Sequence, residues 1–100
     1  MYDQQELIDK LTLIFKQYPI KRAAVLGSYA RGEQEQNSDL DIFLEIEESA
    51  DLVSVFYDFW DELEEKIELK ADVLTPGSLN TAPKRFRERI LNELRYIYEA

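Results

Sequence analysis

Cysteine and histidine are both absent from this chain of 100 residues. Without cysteine there can be neither a disulfide framework nor a zinc–thiolate site. Without histidine, the chain lacks the usual general base and the commonest protein ligand of zinc and similar metals. Any acid–base or metal chemistry must therefore depend on carboxylates, tyrosines or lysines.

Positive charge is also in short supply. Twelve basic residues face 21 acidic ones, which gives a net charge of −9. Such a field disfavours non-specific binding to DNA or RNA, which depends on basic contacts to phosphate. It is compatible with a basic protein partner, or with a substrate that arrives already paired to a metal ion. Nucleic acid is therefore the less favoured class of partner.

Long apolar runs are missing too. No stretch approaches the length of a membrane span, and the N-terminal residues have neither a basic segment nor the apolar core of a signal peptide. We therefore expect a soluble cytoplasmic protein with no membrane partner.

An apolar fraction of 45% is enough for a small core, so we expect one domain, residues 1–100. Because small domains have little stability to spare, a permanent partner or a homo-oligomer would not be surprising.

Hydrophobic periodicity and turn residues predict the order α-β-α-β-α-β-α, and hence an α/β (α+β) fold with a small mixed β-sheet flanked by helices. The predicted elements are a helix from an Asp3 N-cap to Tyr18-Pro19, a strand at Ala23–Leu26, a Gly27-Ser28 turn, a short helix starting at Tyr29, an exposed loop at Gly32–Asn37, a strand at Asp39–Ile46, a helix at Leu52–Ile67, a strand at Leu69–Leu74, a turn at Thr75–Ser78 and a helix after Pro83. Tyr96–Tyr98 either extend that last helix or form a short edge strand.

Two aspartates on the second strand carry most of the functional information. Alternate residues of a strand share a face, so Asp39 and Asp41 should project together, with Leu40 and Ile42 on the other face. Two adjacent carboxylates repel each other unless a cation neutralises them. Carboxylate oxygens suit Mg²⁺, which is usually bound by one or two carboxylates together with substrate phosphates. The pattern therefore predicts a metal-dependent nucleotide site.

The run Gly27-Ser28-Tyr29-Ala30-Arg31-Gly32, followed after five residues by Ser38-Asp39-Leu40-Asp41, resembles the signature of the minimal nucleotidyltransferases. These are small relatives of the DNA polymerase β superfamily. The family has a third aspartate on a later strand, and Ala71-Asp72-Val73-Leu74-Thr75 fits that place. The family's closing helix, which is rich in arginine and glutamate, is similar to Ile90–Glu99. The resemblance thus covers most of the chain and implies a polymerase β-like nucleotidyltransferase fold.

The resemblance implies a role for each matching residue. Asp39 and Asp41 would bind two Mg²⁺ ions, and Asp72 would complete the second metal site and accept a proton from the attacking hydroxyl. Gly27 and Ser28 would cradle the β- and γ-phosphates, and Arg31 and Ser38 belong to the same nucleotide-binding set. The reaction would be an in-line attack on the α-phosphorus with pyrophosphate leaving, supported by two metals roughly 3.5–4 Å apart.

The family also implies a partner. Its small members are often antitoxins that pair with helical HEPN-type toxin proteins and transfer AMP from ATP to a tyrosine of the toxin. Two alternatives stay open. The protein could be a non-catalytic antitoxin that acts by forming a complex, or it could transfer a nucleotide to a small molecule, although relatives that do so usually carry a further domain.

Structural explanations compete with these roles. Arg31 could be a capping or salt-bridge residue, Ser28 a helix N-cap, and Asp72 an exposed strand residue. An aromatic helix face at Phe56, Phe59 and Trp60 is more typical of a core than of a ligand site. The basic segment Lys84–Arg89 is most typical of a solvated helix face, with contact to an acidic partner or the triphosphate as the other reading.

Overall fold

A computed structural model describes residues 3–35, 38–48 and 50–100. Within these ranges, five helices and four strands follow one another in the order α1 (Gln4–Phe15), β1 (Ile20–Leu26), α2 (Gly27–Arg31), β2 (Leu40–Ile46), α3 (Leu52–Ile67), β3 (Ala71–Leu74), α4 (Pro76–Asn80), α5 (Lys84–Glu93) and β4 (Arg95–Glu99). Over the described ranges, none of these helices combines the length and the apolar character that a membrane crossing requires.

The four strands form one mixed sheet in the order β3-β2-β1-β4. β1 lies antiparallel to both β2 and β4, whereas β2 and β3 are parallel and are connected through α3. This confirms the predicted mixed sheet with flanking helices. The register places Leu26 opposite Asp41, and Asp41 opposite Asp72. Three neighbouring strands therefore bring the functional candidates to the same edge of the sheet.

The sheet is covered on both faces. The larger cluster joins α1 and α3 to alternate strand residues such as Ala23, Val25 and Ile42. The smaller cluster, on the other face, joins Leu79 of α4 and Ile90 of α5 to strand residues that include Leu26 and Phe43. Because β1 is central and buried from both sides, its last four residues are all buried. This continuous burial explains why Ala23–Leu26 has no polar alternation.

Capping side chains define the ends of the two longest helices. The Asp3 carboxylate accepts a hydrogen bond from the backbone N–H of Glu6, and the Asp51 carboxylate accepts one from Ser54. Each satisfies a helix N–H that would otherwise lack a partner. Asp3 is the predicted N-cap of α1, and α3 has the predicted bounds, Leu52–Ile67.

The prediction was incomplete at several element boundaries. Residues 76–80 form the short helix α4, not a simple turn, because the Thr75 hydroxyl caps it by accepting from the Ser78 N–H. Gly27 and Ser28 begin α2, although we expected that helix to start at Tyr29. Residues 95–99 form an edge strand, the second of the two alternatives. The predicted exposed loop at 32–37 includes Gln36 and Asn37, which lie outside the described residues.

The aromatic face of α3 mostly packs inside, as expected. Phe59 is fully buried and stacks on Phe15 with 5.6 Å between ring centroids. Phe56 and Trp60 are half-buried against the same cluster. The Trp60 indole N–H donates to the carbonyl oxygen of Ala71 at 3.0 Å, which fixes the start of β3 to α3.

Two leucines of α1 provide a test of where the core lies. Leu11 is fully buried, whereas Leu13 is 64% exposed. We expect Leu11→Ala to lower the free energy of unfolding by about 2–5 kcal/mol, because it removes buried methyl groups and leaves a cavity. The matched Leu13→Ala change should cost less than about 0.5 kcal/mol. Urea denaturation of both variants checks this, and equal losses would contradict the position of the core.

Candidate active site

One cleft of about 640 Å³ lies at the edge of the sheet where β1 ends and β2 and β3 begin. Its volume is in the range typical of small-molecule sites. All seven residues singled out from the sequence line it: Gly27, Ser28, Arg31, Ser38, Asp39, Asp41 and Asp72. The structure therefore brings together residues that are up to 45 positions apart in the chain, between Gly27 and Asp72.

The turn from β1 into α2 depends on glycine. Gly27 has a φ of +68°, in the left-handed region that side chains disfavour. A Cβ atom at this position would lie 2.7 Å from Oδ2 of Asp41, closer than real Cβ contacts allow. Gly27 thus lets the backbone at the start of α2 approach the Asp41 carboxylate directly. Gln4 of α1 also fixes α2, because its amide donates to the Tyr29 carbonyl oxygen at 2.7 Å.

The three aspartates occupy different positions around the cleft. Asp39 is exposed and lies just before β2, Asp41 is half-buried within β2, and Asp72 is exposed on β3. Asp41 and Asp72 are direct neighbours in the parallel register. Leu40, Ile42 and Leu44 point into the larger core cluster, as the alternation predicted. The strand itself begins one residue later than predicted, at Leu40 instead of Asp39.

The electrostatics of the cleft converge on Asp41. Burial, and then the negative charges of Asp72, Asp39 and Glu93 in that order, raise the pKa of the Asp41 carboxyl from its usual 3.8 to about 6. The carboxylates of Asp72, Asp39 and Glu93 are thus near enough to Asp41 to disfavour its charged form. A perturbed carboxyl in a cleft is typical of functional sites, although structural clusters can produce it too.

The carboxylate oxygens of the cleft are chemically suited to bind a magnesium ion. Asp39, Asp41 and Asp72 provide only carboxylate oxygens, the ligands that Mg²⁺ prefers, and their mutual repulsion would be relieved by a cation. In residues 3–35, 38–48 and 50–100, however, no three carboxylates, cysteines or histidines are gathered closely enough to hold one metal ion together. Ligation by all three aspartates is therefore a matter of proposal.

Sequence reasoning missed the wall of the cleft that α5 provides. Phe86, Arg89, Ile90 and Glu93 line the cleft. Phe86 and Arg89 fall in the segment Lys84–Arg89, for which we considered contact with a triphosphate, but Ile90 and Glu93 do not. Phe86 is 43% exposed, and its side chain adds an apolar surface beside the aspartates. The helical spacing of Phe86, Arg89, Ile90 and Glu93 was readable, but the sequence could not show which face of α5 meets the cleft.

The structural alternatives have mixed outcomes. The Ser28 N-cap reading is wrong, because the N-cap of α2 is Leu26, whose side chain makes no capping hydrogen bond. Arg31 does form ion pairs, with Glu33 at 3.1 Å and Glu93 at 3.8 Å, and it lines the cleft as well. Ser38 supports the local loop, since its hydroxyl accepts a hydrogen bond from the Glu35 N–H at 2.8 Å. Arg31 and Ser38 thus have structural contacts beside any role with nucleotide.

A mixed sheet with clustered aspartates beside a glycine turn has the architecture of a nucleotidyltransferase. Residues 9–100 match the family described as polymerase beta nucleotidyltransferase, and the chain belongs to that family. The chain is also 42% identical over 91 residues to a protein of Methanocaldococcus jannaschii that is provisionally named a protein adenylyltransferase. That match covers 88% of this chain and 90% of the relative. The enzyme class is nucleotidyltransferase, as predicted.

Solved structures agree with this assignment. One, provisionally described as a minimal nucleotidyltransferase, superposes with a TM-score of 0.71 at 26% identity, over 94% of this chain and 95% of the other. Another contains a tri-AMPylated HEPN toxin of Shewanella oneidensis in complex with its MNT antitoxin. It matches with a TM-score of 0.67 at 13% identity, over 97% of this chain and 73% of that one. At that identity, the second likeness supports the fold alone.

Gly27 and Gly77 form a matched pair for testing the close approach to Asp41. We expect Gly27→Ala to lower the free energy of unfolding by about 1–3 kcal/mol, because it adds a clash and an unfavourable backbone conformation. At Gly77, an added methyl carbon would meet no atom nearer than 3.8 Å, which is an ordinary contact. Gly77→Ala should therefore change stability by less than about 1 kcal/mol. Thermal unfolding of both variants provides the comparison, and a neutral Gly27→Ala would contradict the geometry of this turn.

Asp41 should make the stability of the metal-free protein depend on pH. Because its folded pKa is raised, the folded state holds the proton more tightly than the unfolded chain does, and stability falls as the pH rises from about 4 to about 6. A pKa shift of about two units corresponds to a loss of about 3 kcal/mol in the free energy of unfolding, and solvent screening of this half-buried group reduces the loss to about 1 kcal/mol. We therefore expect Asp41→Asn to be more stable than the wild type at pH 8.

The check is urea denaturation in a buffer with a metal chelator. The advantage of Asp41→Asn should be about 1 kcal/mol at pH 8 and should be mostly lost at pH 4, where Asp41 of the folded wild type is protonated and neutral like the asparagine. Asp58→Asn, on the exposed side of α3, serves as the control for loss of one negative charge. An equal effect of the two substitutions at pH 8 would mean that the raised pKa of Asp41 is not the cause.

Proposed function

We propose that the protein is a Mg²⁺-dependent nucleotidyltransferase that transfers AMP from ATP to a hydroxyl group of a partner protein. The observation that carries this proposal is the single cleft shared by Asp39, Asp41 and Asp72 and the Gly27-Ser28 segment. Family membership supports the class of reaction. The name of the Methanocaldococcus relative supports adenylyl transfer to protein.

Each cleft residue has a role in the proposal. The segment at Gly27 and Ser28 binds the β- and γ-phosphates, and Arg31 and Ser38 contribute to the same nucleotide site. Asp39, Asp41 and Asp72 hold two Mg²⁺ ions, which when bound would neutralise charge on the phosphate oxygens. Asp72 also accepts the proton of the acceptor hydroxyl. The acceptor oxygen then bonds to the α-phosphorus, and the bond from that phosphorus to the bridging oxygen breaks and releases pyrophosphate.

The proposed acceptor is a tyrosine of a HEPN-type toxin, which makes this chain the antitoxin of the pair. The fold is shared with an MNT antitoxin crystallised with its tri-AMPylated HEPN toxin. The net charge of −9 suits a basic partner surface better than a nucleic acid. We also propose that the reaction takes place in the cytoplasm.

We propose that residues 1–100 act as one nucleotidyltransferase domain, because every described strand joins the same sheet.

A second candidate is a non-catalytic antitoxin that acts by forming a stoichiometric complex. The exposed side of α3 favours it, because Val53 and Tyr57 are 64% and 59% exposed one helical turn apart. Exposed apolar side chains of this kind are typical of contact surfaces when they are contiguous. Val53 and Tyr57 are not among the residues that line the cleft, so one experiment can separate catalysis from complex formation.

The decisive experiment is label transfer from α-labelled ATP. The protein is incubated with Mg²⁺ and with a co-purified HEPN-type partner, and transfer is compared between wild type, Asp39→Asn and Asp41→Asn. We expect both substitutions to reduce labelling of the partner by at least about a hundredfold, because each removes a charge that a metal ion needs. Binding to the partner should be unchanged.

Asp58→Asn again supplies the control for an acidic residue outside the cleft. Addition of a chelator to the wild type should abolish labelling as completely as the aspartate substitutions do. Persistent labelling in both aspartate variants would contradict the assigned site. A stable complex without any labelling by the wild type would instead support the non-catalytic antitoxin.

A further inference from the structure

Glu93 is a fourth carboxylate of the cleft, and the proposed reaction leaves it without a role. It is the last residue of α5, and its side chain is 29% exposed. The same oxygen, Oε1, lies 3.8 Å from Nη1 of Arg31 and 3.9 Å from Nε of Arg89. Glu93 therefore connects an arginine of α2 with an arginine of α5 across the cleft.

The two arginines are more exposed than the glutamate between them. The side chain of Arg31 is 48% exposed and that of Arg89 is 72% exposed. Both ion pairs with Glu93 are longer than a hydrogen bond, in contrast to the hydrogen-bonded contact of Arg31 with Glu33 at 3.1 Å. Long ion pairs between partly exposed groups are weak, so another anion can replace one partner at low cost.

The anion that fits the position is a triphosphate. Guanidinium groups bind phosphate through several parallel hydrogen bonds, which are shorter and stronger than the two contacts that Glu93 makes. Both arginines line the same cleft as Gly27 and Ser28. A nucleotide that enters there brings several negative charges to the place where Glu93 lies between two cations, of which Arg31 is also hydrogen-bonded to Glu33.

We propose that Glu93 is a counter-ion of Arg31 and Arg89 that keeps both arginines at the cleft before the nucleotide binds. When the nucleotide enters, its triphosphate replaces Glu93 as the partner of both arginines. This inference rests on the proposed function, because it takes a nucleoside triphosphate as the substrate. Glu93 is a positioning residue in this scheme. It acts through the arginines and not by direct contact with the nucleotide.

The test is the affinity for inorganic tripolyphosphate in metal-free buffer, measured by calorimetry. Glu93→Gln removes the competing charge and keeps the shape of the side chain, so we expect binding to tighten about threefold to tenfold. Glu88→Gln is the matched control. Glu88 also pairs with a cation four residues before it, Lys84 at 3.9 Å, on the same helix, and it does not line the cleft. We expect no change in affinity for this variant.

A double-mutant cycle separates action through the arginines from a general loss of negative charge. In the Arg31→Gln/Arg89→Gln background, Glu93→Gln should not raise the affinity for tripolyphosphate, whether the double variant binds tripolyphosphate weakly or not at all. A gain that persists or appears there would overturn the inference, and so would a Glu93→Gln protein that binds tripolyphosphate no better than the wild type. Circular dichroism confirms that each variant is folded.

Failure of this inference differs from failure of the proposed function. If the wild type binds tripolyphosphate and Glu93→Gln does not tighten it, the counter-ion role is wrong and the nucleotide site stands. If wild type and all variants bind neither tripolyphosphate nor ATP with Mg²⁺, the cleft is not a nucleotide site and both proposals are wrong.

Discussion

The close contact between the Asp41 carboxylate and the backbone at Gly27 is the constraint on which the rest of the site depends. It requires a residue without a side chain directly after β1, at the first position of α2, and a positive φ there. It also requires the register that puts Leu26 opposite Asp41. The parallel pairing of β2 and β3 then places Asp72 beside Asp41. The relative positions of Gly27, Asp41 and Asp72 thus follow from strand pairing and one glycine.

The cleft combines strong negative charge with a positively charged wall. Asp41 is half-buried near other carboxylates that disfavour its charge, a costly arrangement in a small protein with little stability to spare. In the same cleft, Arg31 and Arg89 are held near Glu93. A ligand that satisfies both the arginines and the aspartates would carry anionic groups for the former and a cation for the latter, which is the composition of a metal-bound nucleoside triphosphate. Charge and fold therefore support the same class of substrate.

Much of the architecture could be predicted because the decisive signals are local. The Asp3 cap, the amphipathic α3 and the alternation of Leu40 and Ile42 depend only on short-range spacing, and the structure agrees with each. The Gly27–Asp41 motif was informative because its residues lie within one hairpin-like unit. All seven candidate residues do line one cleft, whereas their individual roles stay predictions.

The remainder could not be predicted because it depends on contacts between distant segments. Nothing in the spacing of α5 shows that Glu93 meets Arg31, 62 positions away. The choice between helix and strand for residues 95–99 was open because pairing with β1 decides it. The helix α4 was missed because its five residues contain proline and glycine, and its Thr75 cap was not recognised. These are cases in which tertiary packing or capping overrides local preference.

The junction of α5 and β4 has a mechanical consequence. Only Leu94 separates the end of α5 from Arg95, the first residue of the edge strand that pairs with β1. The helix that forms one wall of the cleft is therefore tethered to the sheet from which α2 and Gly27 emerge. A swing of that wall would have to pull on the hydrogen bonds between β4 and β1. We therefore expect opening of the cleft to be coupled to fraying of the outer strand, so that an antibody or partner bound to the outer strand would stiffen the cleft without entering it.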